Sequence, residues 1–220
     1  MTLFLGDTAP DFTADTQLGE VSFHEWKGDS WAIFFSHPAD FTPVCTTELG
    51  RVAQLQEEWD KRGVKVIALS VDSVEEHNVW IKDVDEYNNT TVKYPIIADE
   101  DKKVAELYEM IHPGEGDTSS VRSVFVVDPQ NKIRLNLTYP KSTGRNFDEV
   151  LRVIDALQEA DRGGVATPAD WKLGDKIIVP PNVPTAEAKE QFDDVEEFYP
   201  YLRTARIKEG TNVGTAGSCG

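Results

Sequence analysis

The sequence is poor in cysteine, with only Cys45 and Cys219 among its 220 residues. Two cysteines do not make the disulfide framework of a small secreted domain, so the composition favours a reducing compartment. The two are far apart in the chain, and no Cys-x-x-Cys pair is present. The ordinary disulfide exchange that such a pair performs is therefore not supported.

Long apolar runs and an excess of positive charge are missing as well. No apolar stretch reaches the ~20 residues that span a membrane, and residues 1–19 lack the features of a signal peptide. Lysine and arginine number 22 against 39 acidic residues, which gives a net charge of −17. This charge opposes binding to nucleic acid and to anionic membranes. We expect a cytoplasmic protein with no nucleic-acid partner and no integral membrane association.

Strand-like and helix-like segments alternate along most of the chain. The pattern predicts strands at 31–36, 64–71, 121–127 and 133–138, and helices at 46–62, 74–87, 102–108 and 146–160. A turn at residues 129–132 predicts that the last two strands form an antiparallel hairpin. The alternation favours an α/β fold, a thioredoxin-like mixed sheet flanked by helices.

The composition changes after Gly163 and Gly164, where prolines become frequent. Residues 166–184 are predicted to be a linker with one short strand at 176–179, and Thr185 is predicted to cap a short helix. We therefore expect two domains, a main domain at 1–164 and a small C-terminal domain at 165–220 with a flexible tail. The second is too short to hold a large core of its own.

Cys45 lies between a proline-bounded turn and a predicted helix. Apolar residues recur at helical spacing after it, at Leu49, Val52, Leu55 and Trp59. Thr46 and Thr47 offer hydroxyls for capping, and Glu48 suits the positive end of a helix. Unpaired backbone N–H groups at this end favour an anion, and the thiolate is the reactive form of cysteine. The position favours a reactive cysteine over an inert buried one.

The residues around Cys45 resemble a known family. Pro38, Thr42 and Cys45 reproduce the P-x-x-x-T-x-x-C signature of peroxiredoxins, and the wider run that includes His37 resembles the 1-Cys subfamily. Five further segments resemble that subfamily in its order, at residues 70–73, 94–97, 121–126, 144–148 and 166–171. The resemblance covers the chain to about Phe192. It implies a thioredoxin-like fold, reduction of hydrogen peroxide and organic hydroperoxides, and a homodimer or larger ring.

Physical chemistry requires a cation beside the sulfur. A free thiol titrates near ~8.5, and a helix end contributes only about 0.3–1 kcal/mol toward its ionisation. A cation at about 4 Å could add several kcal/mol at an effective dielectric constant of about 20. The resemblance implies that Arg122 is this cation and that Arg145 lies nearby.

Residue type suggests the remaining roles. The Thr42 hydroxyl can accept a hydrogen bond from peroxide and donate one to sulfur, and Pro38 can shield the thiolate from water. Glu48 either orients an arginine or is simply a first-turn helix charge. His37 either tunes protonation, binds an ion or is structural. His77 lies among acidic residues and is expected to face solvent.

The resolving thiol is expected to come from outside the chain. Oxidation converts Cys45 to a sulfenic acid. Cys219 is the only internal candidate to resolve it, and it lacks the Val-Cys-Pro context of two-cysteine relatives. We expect an external thiol such as glutathione, with a glutathione transferase as a helper. No cofactor is expected, and no metal, because no second ligand lies at a recognisable spacing from His37.

Two other functions are considered from the sequence, lipid hydrolysis and a chaperone-like binding role. Some 1-Cys peroxiredoxins are assigned a calcium-independent phospholipase activity; here Ser30 and His24 match its serine and histidine, whereas Gln130 stands at the aspartate position and Asp128 lies two residues away. Without that acid nothing orients His24. A chaperone-like binding role of an oligomer is neither supported nor excluded by the sequence, and consumption of peroxide with a thiol discriminates it from an enzyme.

Overall fold

The computed structural model describes residues 3–116, 118–208 and 210. The chain divides into two compact units, Met1–Phe147 and Asp148–Gly220. The boundary predicted at residues 164 and 165 differs from this division by about the length of one helix, and it stays a prediction. Within the described residues, no helix combines the length and apolarity that a membrane crossing requires.

A seven-stranded mixed sheet forms the first unit. Its strands are β1 (Thr13–Thr16), β2 (Gly19–Ser22), β3 (Trp31–Ser36), β4 (Val64–Ser70), β5 (Ile96–Ala98), β6 (Arg122–Val127) and β7 (Ile133–Tyr139). Their order across the sheet is β2-β1-β5-β4-β3-β6-β7. β4 pairs in parallel with β3 and β5, and the other pairings are antiparallel, including the predicted β6–β7 hairpin. The predicted mixed α/β fold is confirmed.

The helices of this unit are α1 (Phe23–Lys27), α2 (Pro43–Gln54), α3 (Gln56–Lys61), α4 (Val74–Asn88) and α5 (Lys103–Leu107), with a 3-10 turn at Pro113–Glu115. The single helix predicted at 46–62 was wrong in two respects. It begins three residues earlier, because the fixed φ of Pro43 suits the first helical position. It also breaks at Leu55, which leaves the helical conformation with ψ 10. The strands β1, β2 and β5 were not predicted, since each has only three or four residues.

The two central strands place the candidate site. Every residue of β3 and β6 is buried, as expected for strands that are covered on both faces. The strands are antiparallel, and Phe35 of β3 lies opposite Val124 of β6. Arg122 therefore lies level with the end of β3, where the chain turns toward α2. This register brings Arg122 and the start of α2 to one end of the sheet.

The second unit contains α6 (Phe147–Gly163) from its second residue onward, β8 (Ile177–Ile178), α7 (Thr185–Gln191), β9 (Phe192–Tyr199) and β10 (Leu202–Ile207). Its strands form an antiparallel sheet in the order β8-β10-β9, around a core that includes Trp171. The β9–β10 hairpin was missed, because exposed acids occupy most of β9 and its apolar residues do not alternate. Thr185 does not cap α7; Pro184 precedes the helix, and the Thr185 hydroxyl bonds to Glu197. The predicted flexible tail and Cys219 lie outside the described residues.

Candidate active site

Cys45 is the third residue of α2 and is fully buried. The backbone N–H groups in this first turn have no helical acceptors, so the local field favours an anion. Thr46 and Thr47 were wrongly expected to cap the helix. Their hydroxyls instead donate to the carbonyl groups of Thr42 and Val44 inside the helix, at 2.8 and 2.7 Å. The helix end is therefore left open to the sulfur.

Arg122 contacts the sulfur directly. Its Nη1 lies 3.4 Å from Cys45 Sγ and 2.7 Å from Glu48 Oε2, and its Nε donates to the carbonyl oxygen of Lys141 at 2.9 Å. The Arg122 side chain is only 3% exposed. A buried guanidinium at this distance stabilises a thiolate strongly, because little water screens the two charges.

Glu48 joins Arg122 to Arg145. Its Oε1 accepts from the backbone N and Nε of Arg145 at 2.7 and 2.8 Å, and its Oε2 accepts from Nη2 of Arg145 at 2.7 Å. Burial opposes the ionisation of Glu48, but hydrogen bonds and charge from Arg145, with the charge of Arg122, hold its pKa below its usual range. Of the two roles left open by the sequence, the geometry supports orientation of the arginines.

The charges of this cluster do not cancel. Arg122 and Arg145 carry two positive charges, and Glu48 carries one negative charge, so the sum is 2 − 1 = +1. A buried net charge is costly unless another charge balances it. The thiolate form of Cys45 would make the cluster neutral. The arginine pair and the open helix end therefore both present positive charge to the sulfur of Cys45.

The two remaining residues of the signature lie on the turn before α2. Pro38 is buried. The Thr42 hydroxyl donates to the carbonyl oxygen of Ala39 at 2.8 Å, so its lone pairs are available to accept a hydrogen bond from peroxide. The hydroxyl has only this one hydrogen, so the predicted donation to sulfur is not made in this structure. Between them, Phe41 has φ 55, which is an uncommon conformation for a bulky residue and marks local strain at the turn.

His37 belongs to a buried chain of hydrogen bonds that runs through Asp40. Its Nε2 lies 2.8 Å from Asp40 Oδ1, while Nδ1 of His77 lies 2.6 Å from Asp40 Oδ2. Burial opposes the charge on Asp40, but its hydrogen bonds with His37 and His77 outweigh burial and lower its pKa to about 2. Nε2 of His77 faces the carbonyl oxygen of Ile97 at 3.2 Å.

The expectation that His77 faces solvent was wrong, since the side chain is fully buried. Burial alone would lower the pKa of His77, but the carboxylate of Asp40 raises it above its usual value. His77, Trp80 and Val84 are the buried residues of α4, and their spacing of three and four positions could have revealed this face.

His37 is expected to be neutral, because burial lowers its pKa despite the hydrogen bond from its ring to Asp40. Its Nδ1 is buried and has no partner among the described residues. Ligand atoms of His37, Asp40 and Asp72 lie within 4.8 Å of one another, a proximity that sequence spacing did not reveal. Their oxygens already accept hydrogen bonds, at Asp40 from His37 and at Asp72 from Ser70. The cluster is thus explained as a hydrogen-bonded network.

The histidine and the aspartate considered for lipid hydrolysis make hydrogen bonds with other partners. Nε2 of His24 lies 2.8 Å from the carbonyl oxygen of Ala9, and no hydrogen bond joins it to Ser30 in the described part of the chain. Asp128 accepts backbone N–H groups of its own turn, from Gln130 and Lys132 at 2.9 and 2.8 Å. These contacts do not form a serine–histidine–acid chain.

Comparison with known proteins identifies the family of the chain. The model of the AhpC/TSA family matches residues 5–136, more than half of the chain, and that of the C-terminal domain of 1-Cys peroxiredoxin matches residues 156–194. The chain is 51% identical to a 1-Cys peroxiredoxin of Dictyostelium discoideum, over 86% of this chain and 79% of that protein. It is 51% identical to human peroxiredoxin-6, over 86% of this chain and 88% of the human protein.

Solved structures show the same similarity. A mutant of peroxiredoxin 6 of Arenicola marina superposes with a TM-score of 0.89 at 45% identity, covering 95% of this chain and all of that one. A yeast mitochondrial 1-Cys peroxiredoxin, solved to explain thiol resolution via the glutathione and thioredoxin systems, gives a TM-score of 0.88 at 50% identity. That match covers 93% of this chain and 99% of the yeast chain.

A thioredoxin-like sheet with such relatives and a buried cysteine beside an arginine defines a thiol-dependent peroxidase. The chain belongs to the AhpC/TSA family, and within it to the 1-Cys peroxiredoxins. The family and the enzyme class predicted from the sequence are confirmed.

Proposed function

We propose that Cys45 is the peroxidatic residue and that it works without a cofactor or metal. Its thiolate attacks one oxygen of the peroxide, the O–O bond breaks, and the other oxygen leaves as hydroxide or alkoxide, which takes up a proton. Sulfur is oxidised to sulfenic acid, and the peroxide is reduced. The contact between Arg122 Nη1 and Cys45 Sγ at 3.4 Å carries this proposal.

Other residues of the site have supporting roles in this proposal. Arg122 stabilises the thiolate and then the charge on the departing oxygen, and Glu48 aligns Arg122 with Arg145. Thr42 accepts a hydrogen bond from the peroxide, and Pro38 keeps water from the sulfur. The neutral His37, through its unpartnered Nδ1, offers a buried acceptor in the turn that leads to α2.

An external thiol, with glutathione as the first candidate and a glutathione transferase as its helper, completes the cycle. The thiol displaces water from the sulfenic acid to form a mixed disulfide, and a second thiol then releases Cys45. The yeast relative that resolves its thiol via the glutathione and thioredoxin systems supports this choice. It also makes thioredoxin the main competitor.

Mass spectrometry of the peroxide-treated protein tests this route. With glutathione present, we expect a glutathione adduct on Cys45; without it, we expect sulfenic acid and its higher oxides. A parallel reaction with a thioredoxin system, without glutathione, tests the competing reductant. A disulfide between Cys45 and Cys219 as the main product would contradict resolution by an external thiol.

Assembly and location complete the proposal. We infer a homodimer, or a larger ring built from it, since β7 is an edge strand whose outer side has no full-length partner strand in the described chain. A cytoplasmic location is proposed from the reducing conditions that two cysteines favour. One relative, peroxiredoxin PRX1 of Saccharomyces cerevisiae, is mitochondrial, and its name makes the mitochondrion the alternative.

We predict little or no phospholipase activity. His24 is engaged by Ala9 and lies 3.9 Å from Asp11, and Asp128 is engaged by its own turn. No hydrogen bond in the described residues joins His24 to Ser30, so the serine has no base to activate it. The measurement is release of fatty acid from phosphatidylcholine vesicles at neutral and acidic pH, comparing the protein with Ser30→Ala. Robust release that disappears in Ser30→Ala would show that these side chains rearrange on lipid.

A further inference from the structure

The loop between β7 and α6 contacts Arg122 and contains Arg145. At its start, the carbonyl oxygen of Lys141 accepts from Nε of Arg122 at 2.9 Å. At its end, Arg145 binds Glu48 through its backbone and its guanidinium. The loop therefore contacts Arg122 at its start and Glu48, the partner of Arg122, at its end.

The loop is itself held at Lys141 by two contacts from a separate segment that precedes β6. The backbone N–H of Lys141 donates to Glu115 Oε2 at 3.0 Å, and its Nζ donates to Ser119 Oγ at 2.8 Å. We call Glu115, Ser119 and Lys141 the loop clamp. None of the three touches the sulfur in the described contacts, and the signature around Cys45 gives no hint of them.

We propose that the loop clamp positions Arg122 and thereby sets the reactivity of Cys45. Glu115 fixes the N–H of Lys141, and the carbonyl oxygen of Lys141, in the next peptide group along the chain, fixes Arg122. Loss of Glu115 therefore lets that carbonyl move. Nη1 of Arg122 must satisfy both Cys45 and Glu48 at short range, which leaves little tolerance for such a shift. Glu115 and Lys141 are positioning residues in this account.

This inference rests on the proposed role of Arg122, and its test separates the two. We expect Glu115→Ala to lower the rate constant for hydrogen peroxide at pH 7 about fivefold, the typical effect of one hydrogen bond. In the same Glu115→Ala variant, the pH profile of Cys45 alkylation should move to higher pH. Glu115→Gln keeps an acceptor for the Lys141 N–H and should restore the rate to within about twofold.

Two further variants sharpen the test. Lys141→Met keeps the peptide groups but removes the contact with Ser119, and it should give a smaller loss of the same kind. The matched control is Glu100→Ala, an exposed carboxylate in another loop, which should change neither rate nor profile. Thermal unfolding of each variant checks that the fold is retained.

The decisive measurement is Glu115→Ala in an Arg122→Met background. If Glu115 acts through Arg122, adding Glu115→Ala to Arg122→Met should lower the peroxide rate constant by less than about twofold. An undiminished fivefold loss in that background, or an unchanged alkylation profile in Glu115→Ala alone, overturns the loop clamp. If Arg122→Met itself leaves the alkylation profile unmoved, the proposed role of Arg122 fails instead.

Discussion

Cys45→Ser should abolish peroxide consumption, while Cys219→Ser should retain most of it. The serine hydroxyl is not ionised at neutral pH and cannot form a sulfenic acid, so the chemical step loses its nucleophile. Cys45 is also the residue on which the helix end and Arg122 converge. We expect a loss of at least about 1,000-fold in the rate constant, measured by peroxide consumption with a thiol reductant in excess.

Cys219→Ser is the matched control, because it removes the only other cysteine of the sequence. With glutathione in excess, its turnover should stay within about twofold of the unmodified protein. A Cys219→Ser protein that consumes one equivalent of peroxide and then stops would contradict the one-cysteine mechanism. It would assign the resolving role to the C-terminal cysteine.

The central part of the fold could be predicted from the sequence because its signals are local and strong. β3 is a continuous apolar run, and its predicted bounds at 31–36 are those of the structure. The β6–β7 hairpin follows from the turn residues at 129–132. The hairpin of β9 and β10 was missed because exposed acids occupy most of β9, and pairing with β10 rather than an apolar pattern holds it. Long-range pairing of this kind leaves no trace in a local window.

In the candidate site, too, local sequence signals could be read, whereas contacts between distant segments could not. Cys45 and its turn could be found from local sequence, and the need for a cation followed from the size of the helix-end effect. Local sequence could not reveal the partners of Glu48, which lie 74 and 97 positions away in the chain; Arg122 and Arg145 were predicted from the resemblance to the family. His77 looked solvated among acidic neighbours, although Asp40 and Ile97 enclose it. Contacts between distant segments decide these roles, and only the fold supplies them.

Arg122→Met should produce the second large loss. The substitution keeps an apolar chain of similar length but removes the positive charge 3.4 Å from the sulfur. Glu48 and Arg145 then balance each other, and the thiolate loses its counter-charge in a buried site. We expect the rate constant for hydrogen peroxide at pH 7 to fall at least about 100-fold, the usual effect of removing one group that stabilises developing charge.

The pH dependence of Arg122→Met separates its two effects. A cation favours the thiolate over the neutral thiol, so its loss should move the pH profile of Cys45 alkylation toward higher pH. If stabilising the thiolate were the only role of Arg122, raising the pH would restore the full peroxide rate. We expect only partial recovery, because the departing oxygen also loses its electrostatic partner.

Arg162→Met is a suitable control, since Arg162 forms a partly exposed pair with Glu159 in the second unit. It should alter neither the peroxide rate nor the alkylation profile. An Arg122→Met protein whose alkylation profile is unmoved would show that another cation stabilises the sulfur. Arg145 would then be the first candidate, because it shares Glu48 with Arg122 and is also buried.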